Sequence, residues 1–211
     1  MIIKRQTLSL LAVLLTLSSV STGIHAADAQ RGKALYGTCA ACHAVDAGGI
    51  AAMNAPALAG QDSAYLVRQL QYFKAGIRGQ DPRDALGQQM QGMAATLADE
   101  AAVENVVAYI SSLPTPANSK TIDYDRRNGE VQYNASCGAC HGPGGKGNVS
   151  MNAPRLAGLD PAYLRRQYSN FAQGIRGSHP DDRYGRQMQM MATMLSTDKD
   201  IDDVMGYLLS Q

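Results

Sequence analysis

Five residues, Cys39-Ala40-Ala41-Cys42-His43, recur as Cys137-Gly138-Ala139-Cys140-His141. Cysteines at i and i+3 stand on one side of a helical turn, and a histidine follows at once. Cys-x-x-Cys-His is an attachment pattern for a c-type haem. Each sulfur can form a thioether to one vinyl group, and His43 or His141 then points at the iron. The two motifs use all four cysteines of the chain, so the expected cofactors are two covalently bound haem c groups. A structural zinc site fits poorly. The cysteine pairs lie 98 residues apart, outside the usual spacing of such sites, and the histidines would be unexplained.

The opposite face of each iron needs a second ligand. Only two further histidines exist: His25, in the export segment described below, and His179, which aligns with Asp81 of the other copy. His179 reads as a solvated loop residue, and two histidines on both irons is excluded by counting. A thioether is the natural alternative, because it is soft and favours ferrous iron. The methionines repeated in both copies are Met53/Met151, Met90/Met188 and Met93/Met191. Met53 and Met151 lie ten residues past their histidines, on the histidine side, where they could shield a haem edge. Met90 and Met188 both lie 47 residues past theirs, enough chain for a helix to round the haem and return opposite. Met93 and Met191 are one helical turn further on, and spacing hardly separates the two pairs. Pro56 and Pro154 supply a carbonyl without a donor for the second imidazole nitrogen. Arg78 and Arg176, in repeated Gly-Ile-Arg-Gly turns, either pair with haem propionates or stay in solvent. Tyr65 and Tyr163 either reach a propionate or, more simply, pack.

What positions these groups is a tandem repeat. Adding 98 maps Cys39 onto Cys137, and the shift holds without a gap to the last residue. Asn54-Ala55-Pro56 returns as Asn152-Ala153-Pro154, and Gly76-Ile77-Arg78-Gly79 as Gly174-Ile175-Arg176-Gly177. Two copies of this size are two duplicated domains and not a solenoid. The expected division is 1–26 an export signal, 27–113 the first domain, 114–123 a linker with Pro114 and Pro116, and 124–211 the second domain. Each domain reads as mostly helical, and no segment alternates as a strand does. The spacing predicts one helix over 28–42, a second capped by Asp62 or Ser63 and running to about Ala75, and a short one from the turn at Asp81 to Met93. A last helix follows from Asp99 to Ser112, burying Val103, Val106, Val107 and Ile110. In the second copy Ser196 or Thr197 caps the last helix. Tyr109 and Tyr207 are expected to pack it on the first, near Gly32 and Gly129.

The N-terminus has the form of an export signal: Lys4 and Arg5, an apolar run over 8–20, then Ile24-His25-Ala26 before Ala27. The run is short for a bilayer span, and the alternative is an uncleaved anchor. Periplasmic localisation is expected, with no transmembrane segment after removal of the signal. With the signal removed, residues 27–114 carry six basic and eight acidic residues, net −2, and residues 115–211 carry 11 and 10, net +1. Nothing in this balance suggests nucleic acid. Phenylalanine occurs only at Phe73 and Phe171 and tryptophan not at all, so each core is thin and two macrocycles would supply apolar bulk.

With CAACH, NAPALAG, YLVRQLQYFKAG and QQMQGMAATLAD answered by CGACH, NAPRLAG, YLRRQYSNFAQG and RQMQMMATMLST, the chain resembles the dihaem cytochrome c4 family over nearly all of its mature length. In that family the ligand is the first methionine of the M-x-x-M pair, seven residues before the leucine that precedes the last helix. Leu97 and Leu195 then select Met90 and Met188 beside His43 and His141. The resemblance implies an all-α fold of two tandem class I cytochrome c domains, each wrapped around one haem, with propionate edges close together. One departure is Ala44, where the family usually has glycine. The implied function is a periplasmic carrier shuttling single electrons between respiratory partners. Its donor would be a quinol-oxidising complex and its acceptor a terminal oxidase or another periplasmic oxidoreductase, with peripheral membrane association possible. The alternative is a dihaem subunit of an enzyme such as a flavin-dependent sulfide dehydrogenase. Closed irons argue against a small peroxidase.

Overall fold

The structure, a computed structural model, describes residues 26–117 and 120–211. The export segment expected over 1–26 thus lies almost wholly outside the described residues. Ten α-helices order the described chain: α1 Ala29–Tyr36, α2 Ala40–His43, α3 Ser63–Lys74, α4 Ala85–Ala94, α5 Glu100–Ser112, α6 Arg126–Ser136, α7 Gly138–His141, α8 Pro161–Ala172, α9 Arg183–Met191 and α10 Asp198–Leu209. Among the described residues there is no strand, only isolated bridges at Ile50–Ala55 and Asn148–Ala153. None of the described helices is long and apolar enough to cross a membrane.

Side-chain caps set most helix starts. Asp28, Asp62, Asp84 and Asp99 accept from first-turn amides of α1, α3, α4 and α5. Asp125, Asp160, Asp182 and Thr197 do the same for α6, α8, α9 and α10. Each contributes about 1 kcal/mol by satisfying amides with no partner inside the helix.

In each half the first helix crosses the last, α1 on α5 and α6 on α10. The crossings are as close as the sequence suggested. A Cβ on Gly32 would lie 1.9 Å from the Asn105 carbonyl oxygen, and one on Gly129 2.2 Å from that of Asp203. Tyr36 packs against Tyr109 and Tyr133 against Tyr207 as tilted ring pairs, both with centroids 5.4 Å apart. We expect Gly32→Ala and Gly129→Ala each to cost about 1–3 kcal/mol through forced separation of the helices. Denaturant unfolding followed at each haem would read this as an earlier transition confined to the altered half.

One expectation is corrected. Residues 28–42 are not one helix: α1 stops at Tyr36, and α2 restarts only at Ala40. In the second half Cys137 itself is non-helical, at φ −121°. The break turns the motif so that both sulfurs face the pocket described below. It is fastened by the preceding tyrosine: the Tyr36 hydroxyl donates to Ala44 O at 2.7 Å, and that of Tyr133 to Gly142 O at 2.6 Å. The short helix before the last also starts late, at Ala85, because Asp84 caps it.

Ala44 carries more consequence than its small size suggests. It sits at φ 65°, ψ 162°, where the second half has Gly142 at φ 76°, ψ 169°. That region is almost reserved for glycine and strains other residues by about 1–3 kcal/mol. Glycine would loosen the unfolded chain by about 0.4–1 kcal/mol. We therefore expect Ala44→Gly to stabilise the protein by about 1 kcal/mol, measured as a higher urea midpoint at unchanged slope.

Candidate haem sites

Each half encloses a largely apolar pocket. In the first, Leu66, Phe73, Leu97 and Ile110 join Cys39, Cys42 and His43 in the wall. In the second, Leu164, Phe171, Leu195 and Leu208 join Cys137, Cys140 and His141. All four thiols are unbridged. Burial pushes the Cys137 thiol up to about 11 and raises that of Cys39 as well, so neither is a thiolate at neutral pH.

Both motif histidines are buried, each 5% exposed. Nδ1 of His43 lies 2.8 Å from Pro56 O, and Nδ1 of His141 lies 2.9 Å from Pro154 O. Proline offers only an acceptor, so each imidazole must donate from Nδ1. Burial lowers both imidazole pKa values, against an opposing pull from the proline carbonyl. The rings are thus held neutral, with the Nε2 lone pair free to bind a metal.

In the second half the methionines separate more clearly than their spacing allowed. Met188 Sδ faces His141 Nε2 at 3.5 Å across the second pocket. Met191 lines the same pocket but is 38% exposed. In the first half Met90 and Met93 both line the pocket that holds His43. Met53 and Met151 are about half exposed on short 3₁₀ turns and reach the pocket wall. His179 sits in a turn, where its Nδ1 accepts from the Asp181 amide, and it lines neither pocket.

Each pocket is completed by the other half. Tyr163, Arg166 and Gln167 close the first, and Tyr65, Arg68 and Gln69 close the second. Residues related by the 98-residue shift make matching bonds across this seam. Arg68 donates to Asn152 O at 3.0 Å and Arg166 to Asn54 O at 2.9 Å. At the centre, Gln69 Oε1 accepts from Arg78 at 2.7 Å and from Arg176 at 2.9 Å. Gln167 Oε1 accepts from the same two residues, at 3.0 and 2.8 Å. Tyr65 accepts from Arg176 at 3.2 Å. Burial raises the Tyr65 phenol, but the guanidiniums of Arg176, Arg78 and Arg68 outweigh it and hold the group below its ordinary value. Tyr65 is therefore part of the cationic cluster and not simple packing. On one side of the seam the symmetry is broken: Gln61 and the backbone of Arg155 exchange two bonds of 2.9 Å, where the corresponding positions hold Leu159 and Ala57.

Sequence reasoning singled out Arg78 and Arg176 but not Arg68, Arg166, Gln69 or Gln167 as a set. The signal was present, since the Arg-Gln dipeptide returns unchanged at the same shift inside α3 and α8.

Whether these residues suit a haem is tested by what the seam lacks. Among the described residues none of the four arginines forms an ion pair. The Nε of Arg68, Arg78, Arg166 and Arg176 is buried with no partner. Four clustered like charges whose hydrogen-bond acceptors are all neutral are costly; the buried Asp182 acts on Arg176 only through space, and carboxylates reaching the seam from the pockets would satisfy the rest. Apolar walls, paired cysteines, a neutral imidazole facing a thioether and a cationic rim fit a haem with its propionates at the seam.

The profile of the cytochrome c family matches residues 29–114 and again 127–211. Cytochrome c4 of Stutzerimonas stutzeri is 35% identical over 94% of this chain and 96% of its own length. A thiosulfate dehydrogenase electron acceptor of Stutzerimonas stutzeri (strain A1501) is 34% identical over 73% of this chain and 72% of its own. The crystal structure of reduced recombinant cytochrome c4 from Pseudomonas stutzeri superposes with a TM-score of 0.69 at 30% identity, covering 87% of this chain and 98% of that one.

Proposed function

Because this chain belongs to the cytochrome c4 family, an electron-transfer protein of two cytochrome c domains with two covalently bound haem c groups, we propose that it works as a periplasmic carrier with both irons closed by histidine and methionine. His43 and Met90 would be the axial pair of the first haem, and His141 and Met188 that of the second. The observation that carries this reading is the approach of Met188 Sδ to His141 Nε2 at 3.5 Å in an apolar pocket bearing the cysteine pair. The first half repeats the same residues at the same spacing.

Bound haem supplies a one-electron couple, and the chain's own residues do the rest. Pro56 and Pro154 fix the histidine tautomers. The apolar walls exclude water. The seam arginines would hold the propionates and, as cations, favour the state that carries the extra electron. Residues 1–26 would direct export and 114–123 would link domains 27–113 and 124–211. Donor and acceptor would be a quinol-oxidising complex and a terminal oxidase. A second role, as the electron-accepting partner of a periplasmic oxidoreductase, is favoured by the relative named as an acceptor for thiosulfate dehydrogenase.

An optical redox titration of the exported protein tests the reading. We expect two haems per chain, two one-electron steps and no spectral change when carbon monoxide meets the reduced protein. Prompt carbon monoxide binding, or a single haem, would overturn it.

A further inference from the structure

The two haem mouths present different surfaces. On α9, Arg183, Arg186 and Met190 follow one another at i+3 and i+4, so they share a helix face, and all three are exposed. Met190 is 68% exposed, Met194 just beyond the helix 55%, and Val149 in the histidine-side loop 71%. These residues adjoin Met191 and Met151, which line the second pocket. The first half carries Ala85, Gln88, Gly92, Thr96 and Ala51 at the corresponding positions, all exposed. At these five positions the second half carries a charged or large apolar side chain where the first carries a small or neutral one, while the exposed Arg83 of the first half is paired with Asp81. In the first half Val45 is exposed but does not line the pocket, and Met53 is matched by Met151.

Large apolar side chains exposed beside one pocket mark an interaction surface, and methionine suits a contact that must form and release. The charges indicate the partner. The neighbouring carboxylates are largely engaged: Asp182 is buried as the cap of α9, and Asp198 and Asp202 hold Arg165. Arg183 stacks on Tyr184, Arg186 donates to Pro180 O, and neither has an ion-pair partner among the described residues. Asp181 is the exposed acid nearby, 3.9 Å from His179.

We propose that the outer face of α9, with Met194 and Val149, is the docking surface for a redox protein whose contact patch is apolar and edged by carboxylates. Electrons would then enter or leave through the second haem, with the first reached across the seam. This rests on both pockets holding haem, as set out under the proposed function. Complementary charge raises the encounter rate, and salt screens it.

Stopped-flow electron exchange between the dihaem protein and an acidic blue-copper protein, plant plastocyanin, tests the idea. The variant Arg183→Ala/Arg186→Gln/Met190→Gly/Met194→Thr gives four of these five positions the residues of the first half and leaves Val149 in place. We expect its second-order rate constant at low salt to fall about tenfold and its salt dependence to flatten, with both midpoint potentials and the haem spectrum unchanged. The control Gln88→Ala/Thr96→Ala should leave rate and salt slope as they are. Equal rates for the α9 variant and the parent, an equal loss from the control, or no salt-dependent exchange in the parent would each overturn the proposal. Failure of the proposed function appears separately, as a missing haem or an open iron in the optical titration.

Discussion

Replacing Met188 with alanine is expected to abolish about half of the sulfur-to-iron charge-transfer band and to lower the potential of the second haem, leaving the first unchanged. The argument begins with donor chemistry. A thioether stabilises ferrous iron and raises the reduction potential. In the second pocket Met188 Sδ is the sulfur placed 3.5 Å from His141 Nε2, while Met191 is 38% exposed. Alanine leaves that face of the iron to water or an added ligand, so the reduced variant should bind carbon monoxide at one haem per chain. Met90→Ala should give the mirror result at the first haem. Met191→Ala should keep the full band and both potentials, and a loss of the band in that variant would move the ligand one turn along α9. Near-infrared spectra and redox titration of the three variants read all of this.

Arg176→Leu is expected to destabilise the haem-loaded protein by about 3–5 kcal/mol, the usual cost of removing one partner from a buried charged set. It should also lower the potential of the second haem. Arg176 is only 8% exposed, touches Gln69, Gln167 and Tyr65, and lies over the Phe171 ring at 4.4 Å. Its removal would leave carboxylates at the seam without their cation and the two glutamine oxygens one donor short. Arg176→Lys separates the two consequences. It keeps the charge but not the planar fork, so most of the potential should return while stability stays low. If Arg176→Leu left both potentials in place, the guanidinium would be a strut between the halves and not a partner of the haems. Guanidinium unfolding and a redox titration on the same samples decide between them.

Much of this molecule is legible before folding because the decisive chemistry is local. Cys-x-x-Cys-His needs one helical turn, and the proline carbonyl that fixes each imidazole lies 13 residues away in a short loop. The caps Asp62, Asp99 and Thr197 are read in the same way, since each bonds an amide three residues on. Gly32 and Gly129 announce a close helix crossing without coordinates. The continuous first helix failed as an expectation because periodicity registers buried positions and not chain direction. The break before Cys39 is held by a tyrosine bond to Ala44, which no periodicity reveals.

The attachment sites, the imidazole ligand candidates, the duplication and the helical class follow from residue types and short spacings, where backbone geometry leaves few choices. Packing alone brought Met188 rather than Met191 to His141: the two lie one turn apart on one helix face, and spacing does not say which of them the fold sets beside the imidazole. Packing also made Ala44 a strained residue and gathered Arg68, Arg78, Arg166 and Arg176 at one seam. Those arginines come from opposite halves of the chain. They meet where the two halves bond across the seam through Arg68, Arg166, Gln69 and Gln167, a long-range event that no local rule encodes.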